Sequence, residues 1–134
     1  MRATKAKPFL KWAGGKTQLL PTIESFLPES LRKESMVTYI EPFVGGGAML
    51  FYMLQKYNNI KRAIINDINS HLITTYIVIR DTPQALIHTL SDIQSTFLAL
   101  ESHEKRKELF LRIRNDFNSR QLSNVEEAAY MIFL

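Results

Sequence analysis

The chain contains no cysteine. Disulfides and thiolate metal sites are therefore impossible, and a reducing, cytoplasmic setting is the default expectation. No window approaches about 18 consecutive apolar residues, which excludes a membrane-spanning helix. The basic N-terminus has no apolar stretch behind it, so it does not read as a secretory signal. Glycine is scarce: all 5 lie in two clusters, Gly14-Gly15 and Gly45-Gly46-Gly47. Loops elsewhere are built without it, so the clusters mark two special backbone sites and not general flexibility. Tryptophan occurs once, at Trp12. His71, His88 and His103 have neither ligand spacing nor cysteine partners and read as surface or cap histidines, with no metal expected. No Asp-Pro step occurs; the prolines follow Lys7, Leu20, Leu27, Glu41 and Thr82. Internal repeats and low-complexity segments are absent too.

What is present is a chain of 134 residues, 46% apolar and 22% charged, the proportions of a globular protein with a core of ordinary size. The net charge of +4 is uneven. Residues 1–67 hold ten Lys/Arg against five Asp/Glu, whereas residues 68–134 hold seven against eight. Arg2, Lys5, Lys7, Lys11 and Lys16 fall in a stretch without a single acid. Such a patch attracts phosphate backbones, although on charge alone a solvated, frayed terminus is the favoured reading.

Periodicity predicts a helix over 17–26, with Leu19, Leu20, Ile23, Phe26 and Leu27 at helical spacing, ended by Pro28 and a polar run from Glu29 to Ser35. Val37 to Glu41 reads as a short buried strand ended by Pro42. Three glycines follow, and then an apolar helix from Ala48 to Gln55. Arg62 to Asn66 is a second strand, which a crossover helix would set parallel to the first. Asn69 or Ser70 can cap a helix from Leu72 to Ile79. Pro83 suits the first turn of another, with Leu86, Ile87, Leu90, Ile93, Phe97 and Leu98 on one face. Leu109, Phe110, Ile113 and Phe117 mark a further helix. Ser123 or Asn124 caps a last one, which begins at Val125 and ends the chain inside an apolar run. With two strands where doubly wound sheets have about five or more, we expect the N-terminal part of a longer α/β protein.

A strand, a glycine turn and a helix place unpaired helix N–H groups beside a crevice at the strand's carboxyl end, where nucleotide-like ligands bind. Three ligands can be weighed. A dinucleotide fingerprint would put its third small residue at Leu50, which is too bulky. A Walker A loop ending at Gly15-Lys16-Thr17 would need a glycine at position 10, where Leu10 stands. S-adenosylmethionine has no phosphate and needs a glycine turn plus an acid for the ribose. Asp67, at the end of the second strand, can accept two hydrogen bonds from a vicinal diol. Alone it would read as a turn or helix cap; with Glu41 and the glycines beside it, the ribose reading is favoured. Trp12 can cover an adenine or serve as a core side chain. Lys16 sits unfavourably at a helix start, which a bound carboxylate would offset unless the side chain simply points to solvent.

Phe9-Leu10-Lys11-Trp12-Ala13-Gly14-Gly15-Lys16, Tyr39-Ile40-Glu41-Pro42-Phe43-Val44-Gly45-Gly46-Gly47-Ala48 and Ile65-Asn66-Asp67-Ile68-Asn69 resemble the N-terminal signatures of the Dam-type (α-group) adenine-N6 DNA methyltransferases, which include modification enzymes of restriction systems. The resemblance implies a Rossmann-like methyltransferase fold, here incomplete. Residues 1–70 would be its cofactor-binding part, and residues 71–134 a helical segment leading into the target-recognition domain. It implies that Trp12, Lys16 and Asp67 bind S-adenosylmethionine, with Gly14, Gly15, Glu41, Phe43, Gly45 and Ile68 around it, and that Lys11 faces double-stranded DNA. The family's catalytic Asp-Pro-Pro-Tyr has no counterpart in these residues, so little or no activity is expected of this chain alone. The competing class is a non-enzymatic nucleotide- or DNA-binding module. Because a two-stranded sheet is poorly covered, self-association through an exposed edge or patch is a further expectation.

Overall fold

A computed structural model describes residues 5–119 and 121–134. The basic residue Arg2 lies outside the described residues. The elements run α1 (Leu20–Ser25), α2 (Ser30–Lys33), β1 (Val37–Glu41), α3 (Ala48–Lys56), β2 (Ile60–Ile65), α4 (Ser70–Asp81), α5 (Pro83–Ala99), α6 (His103–Ser119) and α7 (Asn124–Phe133). A single 3₁₀ turn, Lys16–Leu19, precedes α1. The chain divides into two compact units, Met1–Ile68 and Asn69–Leu134. Among the described residues no helix is long and apolar enough to cross a membrane.

The first unit is built on β1–α3–β2. Its strands pair in parallel, with Tyr39 opposite Ala63, Ile40 opposite Ile64 and Glu41 opposite Ile65, and the register shifts between Val37 and Thr38. The architecture is helix-rich with a small open sheet, the partial methyltransferase-like core that the signatures imply and not a full closed Rossmann sheet. Leu31, Met49, Met53 and Tyr57 form the core, with Leu20, Ile23, Leu27, Val37 and Tyr39 packed against it. Only one face of the pair is covered. Side chains alternate along a strand, so Thr38 and Ile40 stay exposed while Glu41 is buried. The expectation of a short buried strand is therefore corrected to a half-buried one, because burial on both faces needs a layer on both faces.

Two further expectations change. The predicted helix over 17–26 starts as a 3₁₀ turn and becomes α-helical only at Leu20. The switch from about 3.0 to about 3.6 residues per turn moves the apolar stripe. Leu20, Ile23 and Leu27 pack inward, whereas Leu19 and Phe26 are exposed. The polar run from Glu29 to Ser35 is not merely a stop, since it contains the single turn α2 with Leu31 buried. Asn59 holds that turn to the start of β2, its side-chain amide donating to the carbonyls of Leu31 at 2.5 Å and Glu34 at 2.9 Å.

The second unit is helical. Asn69 caps α4 by accepting from the Leu72 N–H, and Pro83 stands in the first turn of α5. Ser123 and Glu126 form a capping box at the start of α7. Val78, Leu86, Ala128 and Ala129 are the core between α4, α5 and α7. Alanines let helix backbones approach closely. Of the face predicted for α5, Leu86 is buried, but Ile87 and Leu98 are exposed. That stripe is broader than the surface available to cover it. Phe133 closes the far end, its ring 5.7 Å from Phe97 and 6.1 Å from Phe110.

Candidate cofactor site

The site begins where β1 ends. Pro42 cannot extend the ladder, yet pairing does not stop there. The Asn66 N–H donates to the Glu41 carbonyl at 2.9 Å, and the Val44 N–H donates to the Asn66 carbonyl at 3.0 Å. The Gly45 N–H then donates to Asp67 Oδ2 at 2.9 Å. The loop after β1 is thus zipped to the loop after β2, and Asp67 is held in place by the glycine loop itself.

The glycines are needed for a second reason. Gly45 has φ +52°, and a Cβ there would stand 3.2 Å from Trp12 Cδ1. A Cβ on Gly46 would meet the Leu10 carbonyl oxygen at 3.1 Å and Trp12 Cβ at 3.3 Å. The segment from Leu10 to Trp12 therefore lies flat on the loop, and side chains at these positions would push it away. Trp12 is half-buried, between the core and the ligand-cover readings. The Gly15 N–H turns back to the Trp12 carbonyl at 3.2 Å and directs the chain into Lys16.

Lys16 does not simply point to solvent. Its Nζ donates to Glu41 Oε1 at 3.0 Å and to the Phe43 carbonyl at 2.6 Å. The carboxylate that offsets its position at a helix start is one of the protein's own. Glu41 is only 6% exposed, and its other oxygen, Oε2, accepts from the Tyr39 hydroxyl at 2.8 Å. Burial, and then the hydrogen bond to Glu41, push the Tyr39 pKa upward, so Tyr39 remains a donor throughout the neutral range.

These pieces border a cavity of about 550 Å³, within the span of about 300–1,000 Å³ usual for small-molecule sites. Of the residues singled out in the sequence, Lys11, Trp12, Gly14, Gly15, Lys16, Phe43, Gly45 and Asp67 line it. Phe43 stands at its edge with 73% of its surface exposed. Two do not line it. Glu41 lies buried and bonded to Lys16, and Ile68 is 98% exposed and outside the lining. Lys7, Pro8, Leu10, Thr17 and Ala48 join the wall without having been singled out. The basic run was the available signal for Lys7. Tyr39 was missed as a partner of the site, though its place two residues before Glu41 puts both on one face of the strand. Lys7, Lys11 and Lys16 face one acid, Asp67, so the wall is cationic on balance. Among the described residues no group of three His, Asp or Glu side chains could hold a metal ion.

The wall offers three kinds of contact. Asp67 can accept from hydroxyls, Trp12 and Phe43 present aromatic surface, and Lys16 presents an ammonium group.

Comparison with known proteins follows the same lines. A family model described as D12 class N6 adenine-specific DNA methyltransferase matches residues 12–134. The Type II methyltransferase M.MjaIII of Methanocaldococcus jannaschii is 49% identical over 132 residues, covering 97% of this chain and 45% of that protein. The Type II methyltransferase M1.LlaDCHI of Lactococcus lactis subsp. cremoris is 37% identical over 131 residues, covering 96% of this chain and 40% of that protein. A DNA adenine methylase of Vibrio cholerae serotype O1 is 36% identical over 114 residues, covering 85% and 35%. The chain thus spans less than half the length of each of these relatives. With the family model covering nearly all of it, the chain belongs to the D12 class of N6 adenine-specific DNA methyltransferases.

Proposed function

We propose that this chain is the cofactor-binding part of an enzyme that methylates the N6 position of adenine in double-stranded DNA, with S-adenosylmethionine as donor. The observation that carries the reading is the Asp67 carboxylate, fixed by the Gly45 amide at the carboxyl ends of two parallel strands. A ribose-binding acid belongs at that place in nucleotide-binding sheets. The cavity suits the molecule in size and in chemistry: Asp67 for the ribose hydroxyls, Trp12 and Phe43 for the adenine, Lys16 for the carboxylate of the methionine part. Gly14, Gly15 and Gly45 keep the wall free of side chains. When bound, S-adenosylmethionine supplies an electrophilic methyl group. Lys11 and Lys7 on the rim would meet the phosphates or base edges of DNA, and the target adenine would be flipped from its stack.

The amino group of adenine is a weak nucleophile, and the family's Asp-Pro-Pro-Tyr would accept its hydrogen bonds. No Asp-Pro step occurs in these 134 residues, so the chain alone should bind the cofactor and transfer little or no methyl. Incubation with DNA and labelled cofactor tests the second statement, and clear incorporation would refute it. Calorimetry with S-adenosylmethionine, ATP and NAD tests the first. Binding confined to S-adenosylmethionine, and weakened at least about tenfold in Asp67→Ala, supports it. Tighter binding of ATP would favour a nucleotide-binding module instead. We also propose self-association through the open sheet face, where Ile40 and Ile64 are paired and exposed. A sedimentation experiment that finds only monomer at high concentration would remove that proposal.

A further inference from the structure

Glu41 is buried, does not line the cavity, and uses both of its oxygens: Oε1 for Lys16 and Oε2 for Tyr39. A carboxylate withdrawn from water is costly unless it is paired and hydrogen-bonded. For the fold alone, apolar side chains at the end of β1 would serve as well. The arrangement instead fixes Lys16, a long side chain that is otherwise free to wander. Its ammonium has three N–H donors. Glu41 Oε1 and the Phe43 carbonyl take two of them, which leaves one. Lys16 also borders the cavity, its side chain about one-third exposed.

We propose that Tyr39 and Glu41 are positioning residues that hold the Lys16 ammonium, ordered in advance, for the carboxylate of a zwitterionic amino-acid group on the ligand. The inference rests on the S-adenosylmethionine reading and extends it to residues that do not touch the ligand. Tyr39 orients Glu41, and Glu41 orients Lys16. The Phe43 carbonyl completes the cradle and ties it to the glycine loop. A lysine held in this way loses little freedom when the ligand arrives, which is the usual origin of affinity from preorganisation. Glu41 also offsets the lysine charge. At that corner of the cavity the Lys16–Glu41 pair carries no net charge, which suits an amino-acid group carrying both ammonium and carboxylate.

Two ligands separate this role from a merely structural one. S-adenosylhomocysteine carries the amino-acid group; 5′-methylthioadenosine keeps the adenosine and the thioether but lacks it. Binding of both to the chain is measured by calorimetry for the natural sequence, Tyr39→Phe, Glu41→Gln, Lys16→Met and the double variant Tyr39→Phe with Lys16→Met. The expected result is a loss of about tenfold for S-adenosylhomocysteine in each single variant and less than about twofold for 5′-methylthioadenosine, since a hydrogen bond to a charged group is worth about that much. Tyr39→Phe should add nothing once Lys16 is gone, because both act through one contact. Equal losses for the two ligands in Tyr39→Phe would overturn the proposal, as would an effect of Tyr39→Phe that persists without Lys16. Asp67→Ala tests the reading beneath it and should weaken both ligands alike. If the natural sequence binds neither ligand, that reading falls and this proposal with it.

Discussion

The two units solve the problem of burial in opposite ways. In residues 69–134, helices cover one another: Val78 on α4 and Leu86 on α5 are buried, and Ala128 and Ala129 on α7 are fully buried in the same cluster. In residues 5–68, a two-stranded sheet is covered on one face only, and Ile40 on the other face is 63% exposed. Polar side chains serve differently in the two units. The helical unit uses them at helix ends, as Asn69 and Ser123 do, and buries Thr75 inside α4, where its hydroxyl donates to the His71 carbonyl. The sheet unit uses them inside, with Glu41, Lys16 and Tyr39 linked beneath a cavity and Asp67 tied to a glycine amide. The difference teaches that stability and site chemistry compete for the same positions. Where the chain presents a cavity, it gives up apolar packing and holds its geometry by directed hydrogen bonds.

Four substitutions test this contrast. Leu72→Ala should cost the most, about 2–5 kcal/mol, because truncating a fully buried leucine loses its burial and leaves a cavity. Urea unfolding followed by circular dichroism measures it, and a cost near zero would mean that α4 is loosely held. Gly45→Ala comes next. Its left-handed φ and the approach of Trp12 together should cost about 1–2 kcal/mol. The fluorescence of Trp12, the sole tryptophan, should shift as the ring is displaced. An unchanged spectrum would show that the loop gives way elsewhere. Ser123→Ala removes half of the α7 capping box and should cost about 1 kcal/mol, read from the urea midpoint. Ile40→Thr should fall within about 0.5 kcal/mol, since the side chain is already in water. A large loss there would mean that the open face is covered in solution, and sedimentation would then report the covering copy.

Much of this was legible from residue order. Pro42 and the glycines end β1 and open α3, Pro83 starts α5, and Ser123 caps α7, because these signals act within a few residues through fixed φ, missing donors or local caps. The parallel pairing of β1 and β2 followed from a crossover helix between them. Other features were not legible. Leu31 stands in a polar run, and only contact with Met49, Met53 and Tyr57 makes it core. The apolar stripe of the first helix was misplaced because nothing local announces the 3₁₀ start at Lys16.

For the site, the motifs at residues 9–16, 39–48 and 65–69 determined by themselves which segments belong to it and which family the chain resembles. Residue identity carries the chemistry, and glycine and proline carry the turns. Only the tertiary structure decided the partners: that Lys16 answers to Glu41, that Tyr39 stands behind Glu41, that Asp67 is held by Gly45, and that Ile68 lies outside the cavity wall. Those pairings span up to 25 residues. Their physical reason lies in the parallel register of β1 and β2, which brings two loop ends together at one edge, and in a glycine loop bare enough for Trp12 to lie on it.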